Sequence, residues 1–317
     1  MTVVVPTLGR PTWLHRSISS ALSQVGVNLE VVVVADGPSG GTEAAVLALG
    51  DPRVRFVSLP TRSGVSAARN AGIDQARGGW VAFLDDDDVW APTKLRRQIE
   101  AAATVAADVV YTGVALLADD GTPSAVLPVP AVDGLECALR ETNVLATPSC
   151  VMVRTSLVRQ VGGFDTLLSV LADWDLWLQL VVSARVARCP EPLTGYTVHR
   201  GGMHLRGPRA LRSELRYLRR KHQLVGGTDV GGYSFHEWLA SSYRRAGKAR
   251  AAGRAYIHLG LRYRRSRHLL RGLALVIGES FTRPLRSVSS VPPAPRTALP
   301  MAHGPELVAL VDAARWA

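Results

Sequence analysis

Residues 79–88 read Gly-Trp-Val-Ala-Phe-Leu-Asp-Asp-Asp-Asp, an apolar run that ends directly in four consecutive aspartates. Four adjacent carboxylates repel one another and require a counter-charge, and divalent cations prefer oxygen ligands of this kind. Alternate side chains of an extended backbone share a face, so Asp85 and Asp87 can converge on one ion while Asp86 and Asp88 point elsewhere. A solvated acidic turn is the alternative. The apolar residues on both sides of the cluster favour carboxylates that are held in place.

The sequence before this segment alternates strand-like and helix-like patterns. Strands are predicted at residues 2–6, 29–35, 54–59 and 80–84, and helices at residues 12–24, 42–49 and 66–77. Near-continuous β-branched strands separated by helices indicate an α/β fold with a mostly parallel sheet covered on both faces. Ligands of such sheets bind beyond the carboxyl ends of the strands. Pro6-Thr7, Asp36-Gly37 and the four aspartates all follow strands, so we expect three strand ends to build one site.

The later sequence becomes increasingly helical. We predict a helix at 92–106, a strand at 108–117, mixed strand and loop at 143–153, a helix at 171–183 and a short strand ending at 195–199. Four further helices are predicted at 211–224, 235–246, 253–263 and 269–277. Residues 287–300 are rich in Ser, Pro and Ala, which is typical of a flexible linker, and residues 306–316 are expected to form a terminal helix.

Composition narrows the class of protein. The 317 residues are 47% hydrophobic with a mean hydropathy of +0.11, which suffices for a full core. No apolar stretch reaches the roughly 18–20 residues that a membrane span requires. The first residues predict a strand rather than a signal peptide. Cys137, Cys150 and Cys189 show no CxxC spacing, so neither a disulfide framework nor a zinc site is indicated, and a cytoplasmic location is expected.

Charge divides the chain into two parts. Residues 1–198 carry 15 basic and 20 acidic side chains, whereas residues 199–286 carry 20 basic and only 4 acidic ones. In the second part arginines stand beside aromatic and leucine residues, a pattern that favours anionic membrane surfaces. A helical extension with a solvated basic face is the alternative. A nucleic-acid partner is disfavoured, because no zinc, RNP or helix-turn-helix signature is present.

Six segments, in order through about the first 205 residues, resemble family 2 glycosyltransferases with the nucleotide-sugar-binding GT-A fold. They are Val3-Val4-Val5-Pro6-Thr7; Ala35-Asp36-Gly37; Gly64 to Gly72; Phe83 to Asp88, which resembles the DxD element; Val161 to Asp165 followed by Asp173 to Leu178; and Tyr196-Thr197-Val198-His199. The resemblance implies a transferase domain at 1–205. Charge and helical pattern then indicate a basic helical extension at 206–286, and composition indicates a linker and terminal helix at 287–317.

The resemblance also implies roles for individual residues. Thr7 and Asp36 are expected to contact the base, Arg69 is expected to contact the pyrophosphate, and Pro6 is expected to belong to the nucleotide-sugar site. Asp85 and Asp86 are expected on the nucleotide-sugar side, Asp85 facing the ribose. Asp87, Asp88 and His199 are candidate ligands of Mg²⁺ or Mn²⁺, which would offset the charge of the leaving pyrophosphate. Asp173 is the candidate general base, because the acceptor hydroxyl must lose a proton as it attacks. Asp86 is the member of the cluster expected to tolerate substitution.

The function indicated is a metal-dependent, inverting transfer of a sugar from a nucleotide diphosphate donor, UDP-linked by analogy with the family, to an acceptor hydroxyl. The acceptor class stays open between a saccharide, a lipid-linked molecule and a small molecule. Peripheral attachment at the inner face of the membrane is compatible with the basic region. Ala35 and Ala172 stand where the family commonly has acids, so a degenerate nucleotide- or sugar-binding module is an alternative. A nucleotidyltransferase is disfavoured, because the Asp173 motif is an acceptor-base feature.

Overall fold

The computed structural model describes residues 1–199, 208–226, 230–245, 247–277 and 308–312. The chain forms two compact units. The first holds residues 1–135 and 145–198 with residues 308–312, and the second holds residues 136–144 and the described residues from 199 to 277. The predicted linker at 287–300 lies outside the described residues, and residues 308–312 of the predicted terminal helix are helical.

The first unit is built from strands and helices that alternate along its N-terminal half. The strands are β1 (Thr2–Thr7), β2 (Glu30–Ala35), β3 (Val54–Ser58), β4 (Trp80–Phe83), β5 (Val89–Trp90), β6 (Val109–Leu117), β7 (Pro123–Val126), β8 (Val151–Arg154) and β9 (Val186–Thr197). The helices are α1 (Pro11–Leu22), α2 (Gly40–Leu47), α3 (Val65–Gln75), α4 (Lys94–Val105), α5 (Leu135–Glu141), which continues into the second unit, α6 (Thr155–Gln160) and α7 (Ala172–Val181). A 3₁₀ turn at Pro148–Cys150 precedes β8.

Within the described residues, nine strands form one sheet in the order β3-β2-β1-β4-β8-β6-β9-β5, with β7 beside β6. Strands β3, β2, β1 and β4 run parallel, and so do β6 and β9. Antiparallel pairing joins β8 to β4 and β6, β5 to β9, and β7 to β6. The predicted mostly parallel sheet flanked by helices is therefore confirmed.

The centre of the sheet is buried on both faces. Every residue of β1 is buried, and Val31, Val32, Val33 and Val34 of β2 have no exposed surface. Such strands need apolar, β-branched side chains on both faces, which explains their continuous valine runs. Helix α3 approaches β1 so closely that a Cβ atom at Gly72 would overlap the side chain of Val4.

The observed β9 begins at Val186, nine residues before the predicted start at 195. Pro190 and Pro192 interrupt the strand pattern in this region, since proline cannot donate a ladder hydrogen bond. The structure accommodates them by shifting the register against β6 around Gly113. A side chain at Gly113 would clash with the backbone of Glu191, so the bare backbone there permits the irregular pairing. The short elements β5, β7, α5 and α6 were also not predicted.

Helices dominate the second unit: α8 (Pro208–Gly226), α9 (Tyr233–Arg245), α10 (Ala249–Arg262) and α11 (Ser266–Ile277). All four were predicted, with boundaries within four residues at each end. Helices α10 and α11 pack at very short distance through Gly253, Gly260 and Gly272, where an added Cβ would meet the opposite helix. Over the residues that the structure covers, no helix has both the length and the apolar composition needed to cross a membrane.

Candidate active site

Three adjacent parallel strands end at one edge of the sheet. Strand β1 lies between β2 and β4, and Thr7 at its end pairs in register with Ala35. Asp36 follows Ala35 directly, and the four aspartates follow β4 after Leu84. Because parallel strands deliver the residues after them to the same edge, Thr7, Asp36 and the aspartates share one side of the sheet.

Asp85 to Asp88 form a turn rather than a continuation of the strand. The N–H of Asp88 donates to the carbonyl of Asp85 at 3.0 Å, which closes the four residues as a β-turn. Asp86 and Asp88 are buried, whereas Asp85 and Asp87 are partly exposed. The four side chains therefore alternate between two sides as predicted, but the alternation results from a turn and not from extended backbone.

Asp88 is the internal anchor of this turn. Its side chain is fully buried, and its two oxygens accept hydrogen bonds from Ser149 Oγ at 2.6 Å, Thr147 Oγ1 at 2.9 Å and the N–H of Thr197 at 3.1 Å. Burial raises the pKa of the Asp88 carboxyl well above its usual value, and the charges of Asp87 and Asp85 add to this, while the bonds from Ser149 and Thr197 oppose it. Asp88 thus joins the turn to β9 and to the segment before β8.

The backbone of the turn is held by two serines from other elements. Ser17 of α1 donates from Oγ to the Asp88 carbonyl at 2.6 Å, and its Oγ also lies 3.3 Å from the Asp85 carbonyl. Ser149 Oγ accepts from the N–H of Asp85 at 3.0 Å. The path of the turn is therefore set by hydroxyl groups outside it.

Asp86 is buried against the end of β1. Thr7 donates from Oγ1 to the Asp86 carboxylate at 2.6 Å, and Arg10 forms an ion pair with the same group. Burial raises the pKa of Asp86 to about 6, with repulsion from Asp87 as the second cause and Arg10 and Thr7 in opposition. The expectation that Asp86 tolerates substitution does not fit this environment, since its removal would leave the buried Thr7 hydroxyl without its acceptor.

Asp85 and Asp87 are each paired with an arginine. Arg69 Nη2 lies 2.6 Å from Asp85 Oδ1, and Arg10 Nη2 lies 2.9 Å from Asp87 Oδ2. Arg69 is almost fully buried, its guanidinium stacks on the ring of Phe164, and its Nε has no hydrogen-bond partner among the described residues. The carboxylates and arginines together form a layer of alternating charge at the strand ends.

The donor set at the turn fits a hard divalent cation. Within the described ranges, no three His, Cys, Asp or Glu side chains are placed to hold a metal by themselves. Mg²⁺ is commonly held by one or two carboxylates together with water and substrate phosphate, rather than by a cage of protein ligands alone. The partly exposed oxygens of Asp85 and Asp87 satisfy that requirement.

Asp173 lies at the start of α7, in its first turn, and accepts a hydrogen bond from the N–H of Trp174 at 2.7 Å. Burial and the charges of Asp88, Asp87, Asp85 and Asp173 all raise the pKa of the Tyr196 phenol on β9. The charges of α7 and of the aspartate turn therefore act on the same tyrosine, although about 85 residues separate them in the sequence.

Asp175 and the tryptophans of α7 face the interior. Asp175 is fully buried and accepts a bond from Gln179 Nε2 at 2.9 Å, one helical turn later. Trp174 and Trp177 are at most 1% exposed, which indicates that they pack in the core and do not form an apolar surface beside the acceptor. Asp173 is the more exposed of the two acids, as expected for the one that meets a substrate.

Asp36 organises the loop before α3. Its carboxylate accepts from the N–H of Ser63 at 2.6 Å and from that of Gly64, the residue that caps α3, at 3.0 Å. Pro6 is buried within β1. Base contacts by Thr7 and Asp36 stay predictions, as do the place of Pro6 in the nucleotide-sugar site and the metal roles of Asp87, Asp88 and His199. His199 follows β9 and begins the second unit.

Arg10, Ser17, Thr147, Ser149 and Tyr196 take part in the site but were not singled out from the sequence as site residues. Arg10 stands in Gly9-Arg10-Pro11 directly after a strand end, a position where a basic residue can meet a ligand or a carboxylate. The hydroxyl residues carry no such local signal, because their partners are 59 to 71 positions away.

Residues 2–162 match the model of Glycosyl transferase family 2. The chain belongs to this family. The match covers half of the sequence and includes β1, the Asp36 loop, α3 and the aspartate turn.

Two bacterial proteins are similar in sequence to this family 2 glycosyltransferase. It is 34% identical over 211 residues to the succinoglycan biosynthesis protein ExoO of Rhizobium meliloti, covering 63% of this chain and 60% of ExoO. It is 34% identical over 99 residues to WfgD of Escherichia coli, a UDP-Glc:α-D-GlcNAc-diphosphoundecaprenol β-1,3-glucosyltransferase, covering 31% of this chain and 39% of WfgD. The chain thus spans less than two thirds of either relative.

Solved structures share the fold. The Staphylococcus aureus TarS 1–349 complex with UDP-GlcNAc superposes with a TM-score of 0.60 at 18% identity, covering 88% of this chain and 91% of that one. The mannosyltransferase PcManGT of Pyrobaculum calidifontis, with GDP-Man and Mn²⁺, gives a TM-score of 0.53 at 19% identity, covering 88% and 86%. At these identities the likeness establishes the GT-A fold of this family 2 glycosyltransferase.

Proposed function

We propose that this family 2 glycosyltransferase transfers a sugar from a nucleotide diphosphate sugar, UDP-linked by preference, to an acceptor hydroxyl with inversion at the anomeric carbon. The observation that carries the proposal is the aspartate turn at the strand ends, where the partly exposed carboxylates of Asp85 and Asp87 lie beside Arg69 and Arg10, with the separate acid Asp173 at the start of α7. Carboxylates for the donor side and a separate carboxylate for the acceptor are the two requirements of such a transfer. Relatives and neighbours that bind or use UDP-linked sugars support this donor class.

Each part of the site has a task in this reaction. Thr7 and Asp36 frame the base, and Arg69 supplies a buried positive charge beside the pyrophosphate. The Asp173 carboxylate accepts the proton of the acceptor hydroxyl as that oxygen attacks the anomeric carbon from the side opposite the leaving group. A single displacement of this geometry inverts the configuration.

A divalent cation, Mg²⁺ or Mn²⁺, would be held by Asp87 with help from Asp85 and would supply positive charge beside the leaving pyrophosphate. The PcManGT complex with GDP-Man and Mn²⁺ supports a metal in this fold. Asp88 is less suited to direct coordination, since its oxygens already accept three hydrogen bonds inside the protein. His199 stays a candidate ligand.

The donor can be found by thermal shift with a set of nucleotide sugars in the presence of Mn²⁺. At equal concentration, a ligand that binds only the folded state raises the unfolding temperature more the more tightly it binds, so the true donor stands out against the others. Mn²⁺ alone and UDP alone are the controls. A protein stabilised by nucleotides that turns over no nucleotide sugar would be a binding module, the alternative that Ala35 and Ala172 motivate.

Substitution Asp173→Asn tests the general base. With the donor identified, we expect kcat to fall by about 10²–10⁴-fold, since the amide cannot take the proton. The donor Kd should stay within about twofold, because Asp173 serves the acceptor side. Asp74→Asn, an exposed acid of α3, is the matched control. Unchanged turnover in Asp173→Asn would refute the assignment.

The acceptor is proposed to be a sugar hydroxyl of a saccharide or a lipid-linked saccharide. WfgD, whose acceptor is a lipid-linked diphosphate sugar, supports the second class. A reducing, cytoplasmic location is proposed because Cys137, Cys150 and Cys189 are all free thiols. Product analysis with water-soluble and lipid-linked acceptors separates the two classes.

A further inference from the structure

Helix α11 carries an exposed aliphatic face. Leu270 is 68% exposed, Leu273 46% and Ile277 67%, and Leu261 near the end of α10 adds a fourth aliphatic side chain at 66%. The spacing of 270, 273 and 277 places all three on one side of the helix. Isolated surface leucines are ordinary, whereas a continuous apolar helix face signals a binding surface.

The orientation of this face is fixed by packing on the opposite side of α11. The buried residues of the helix are His268 and Gly272, one turn apart. Gly272 lies so close to α10 that an added Cβ would meet the backbone of Gly253 and Ile257. His268 Nε2 lies 2.6 Å from the hydroxyl of Tyr233 on α9, and its ring stacks on Tyr256 of α10. Helix α11 therefore cannot rotate its leucines inward without losing these contacts.

The segment that carries the aliphatic face, residues 247–277, is strongly cationic. Residues 247–277 contain eight basic side chains and no acidic one. Three of the arginines are held over tyrosine rings: Arg271 over Tyr256 at 4.6 Å, Arg262 over Tyr263 at 5.6 Å and Arg265 over Tyr233 at 5.8 Å. These stacks fix the arginine positions while the residues themselves stay exposed.

We propose that this face of α11, with Leu261, docks on an anionic lipid bilayer surface. An aliphatic stripe inserts among acyl chains while flanking arginines meet lipid phosphates, which is how amphipathic helices lie in the membrane interface. Charge complementarity favours an anionic lipid surface, because a second copy of the chain would bring two cationic surfaces together. With 12 residues α11 is too short to span a bilayer, so it lies on the surface.

The proposal is tested by co-sedimentation with vesicles. Full-length protein should bind vesicles of phosphatidylglycerol and phosphatidylethanolamine at low salt at least tenfold more strongly than vesicles of phosphatidylcholine, and 0.5 M NaCl should weaken the binding. The triple variant Leu270→Ser, Leu273→Ser, Ile277→Ser should lose at least tenfold in affinity. A wild-type protein that stays in the supernatant at low salt would overturn the proposal.

A matched control removes the same amount of exposed apolar surface elsewhere. Leu47, Val105 and Val182 lie in the first unit and are 65%, 52% and 57% exposed. Their triple replacement by Ser should leave vesicle binding unchanged, and circular dichroism should show that both variants stay folded. Equal loss in both variants would contradict a role specific to α11. Light scattering that shows a dimer for the wild type and a monomer for the α11 variant would assign the face to self-association instead.

Discussion

Asp88 shows how neighbouring, chemically identical residues acquire different roles. It belongs to a run of four aspartates, so the sequence makes it a candidate metal ligand. In the structure it accepts bonds from Ser149, Thr147 and Thr197 and has no exposed surface. Asp85 and Asp87 keep partly exposed oxygens that can meet a donor. The difference follows from the turn, which sends alternate side chains to the interior.

Substitution Asp88→Ala should destabilise the metal-free protein by about 2–4 kcal/mol, because two hydroxyls and one backbone N–H lose their acceptor in a buried site. Urea unfolding in EDTA measures this loss. Asp74→Ala, an exposed acid of α3, should change the free energy of unfolding by less than about 0.5 kcal/mol. If Asp88→Ala were neutral in EDTA and lost only the stabilisation by Mn²⁺, Asp88 would be a cation ligand instead.

Arg10 competes with a cation for the Asp87 carboxylate, since its guanidinium lies 2.9 Å from Asp87 Oδ2. Arg10→Gln should lower the Kd for Mn²⁺ in the absence of donor by roughly 5–20-fold, as one positive charge and one competing contact are removed. Mn²⁺ titration followed by electron paramagnetic resonance measures this Kd. Arg53→Gln breaks a surface pair with Asp51 and should leave the Kd unchanged. A weaker Mn²⁺ affinity in Arg10→Gln would contradict this competition.

At the scale of elements, helix α4 holds a fully buried lysine. Lys94 Nζ donates to Gln98 Oε1 at 2.8 Å and lies 4.0 Å from the centre of the Trp90 ring. Burial lowers the pKa of Lys94 to about 7 from 10.5. Below pH 7 the lysine is charged in both the folded and unfolded states, so the cost of burying the charge is fully present. Above pH 7 the folded state releases its proton first, and the free energy of unfolding rises with pH.

Lys94→Met removes that charge and keeps the side-chain volume. We expect the variant to be more stable than wild type at pH 6, and its advantage to shrink by about 2 kcal/mol between pH 7 and pH 9. Urea unfolding of both proteins across this range measures the difference between their free energies of unfolding. Groups that titrate in the same way in both proteins do not contribute to this difference. A difference that is independent of pH would show that the pKa of Lys94 is not lowered.

Helix α3 depends on a glycine for its approach to β1. Gly72→Ala should destabilise the protein by about 1–3 kcal/mol, because the new methyl group overlaps Val4. Gly41→Ala in α2 is the control, since nothing lies within 4 Å of the added Cβ there, and it should be neutral or stabilising by up to about 1 kcal/mol. Thermal unfolding compares the two, and equal stability would mean that α3 can move away from the sheet.

On the scale of the whole molecule, the elements with local sequence patterns could be predicted, whereas contacts between residues distant in the sequence could not. The valine runs and helical spacing suffice for β1 to β4 and for the four C-terminal helices, because these patterns are local. The first nine residues of β9 and the partners of the aspartate turn were missed. Two prolines obscure the start of β9, and the hydroxyls that hold Asp88 are 59 to 61 residues from it. The candidate residues Asp36, Asp85, Asp87 and Asp173 were found from their motifs, whereas the arginine and serine contacts that position the turn required coordinates.

The serines that hold the aspartate turn have a practical consequence for protein engineering. Ser17 and Ser149 fix the backbone of Asp85 and Asp88 through main-chain atoms, which every amino acid shares. The path of the loop therefore depends on Asp88 and the two serines, and not on the partly exposed side chains of Asp85 and Asp87. Libraries aimed at new donors should keep Ser17, Ser149 and Asp88 unchanged, since a substitution at any of them would move the backbone that carries the donor-side carboxylates.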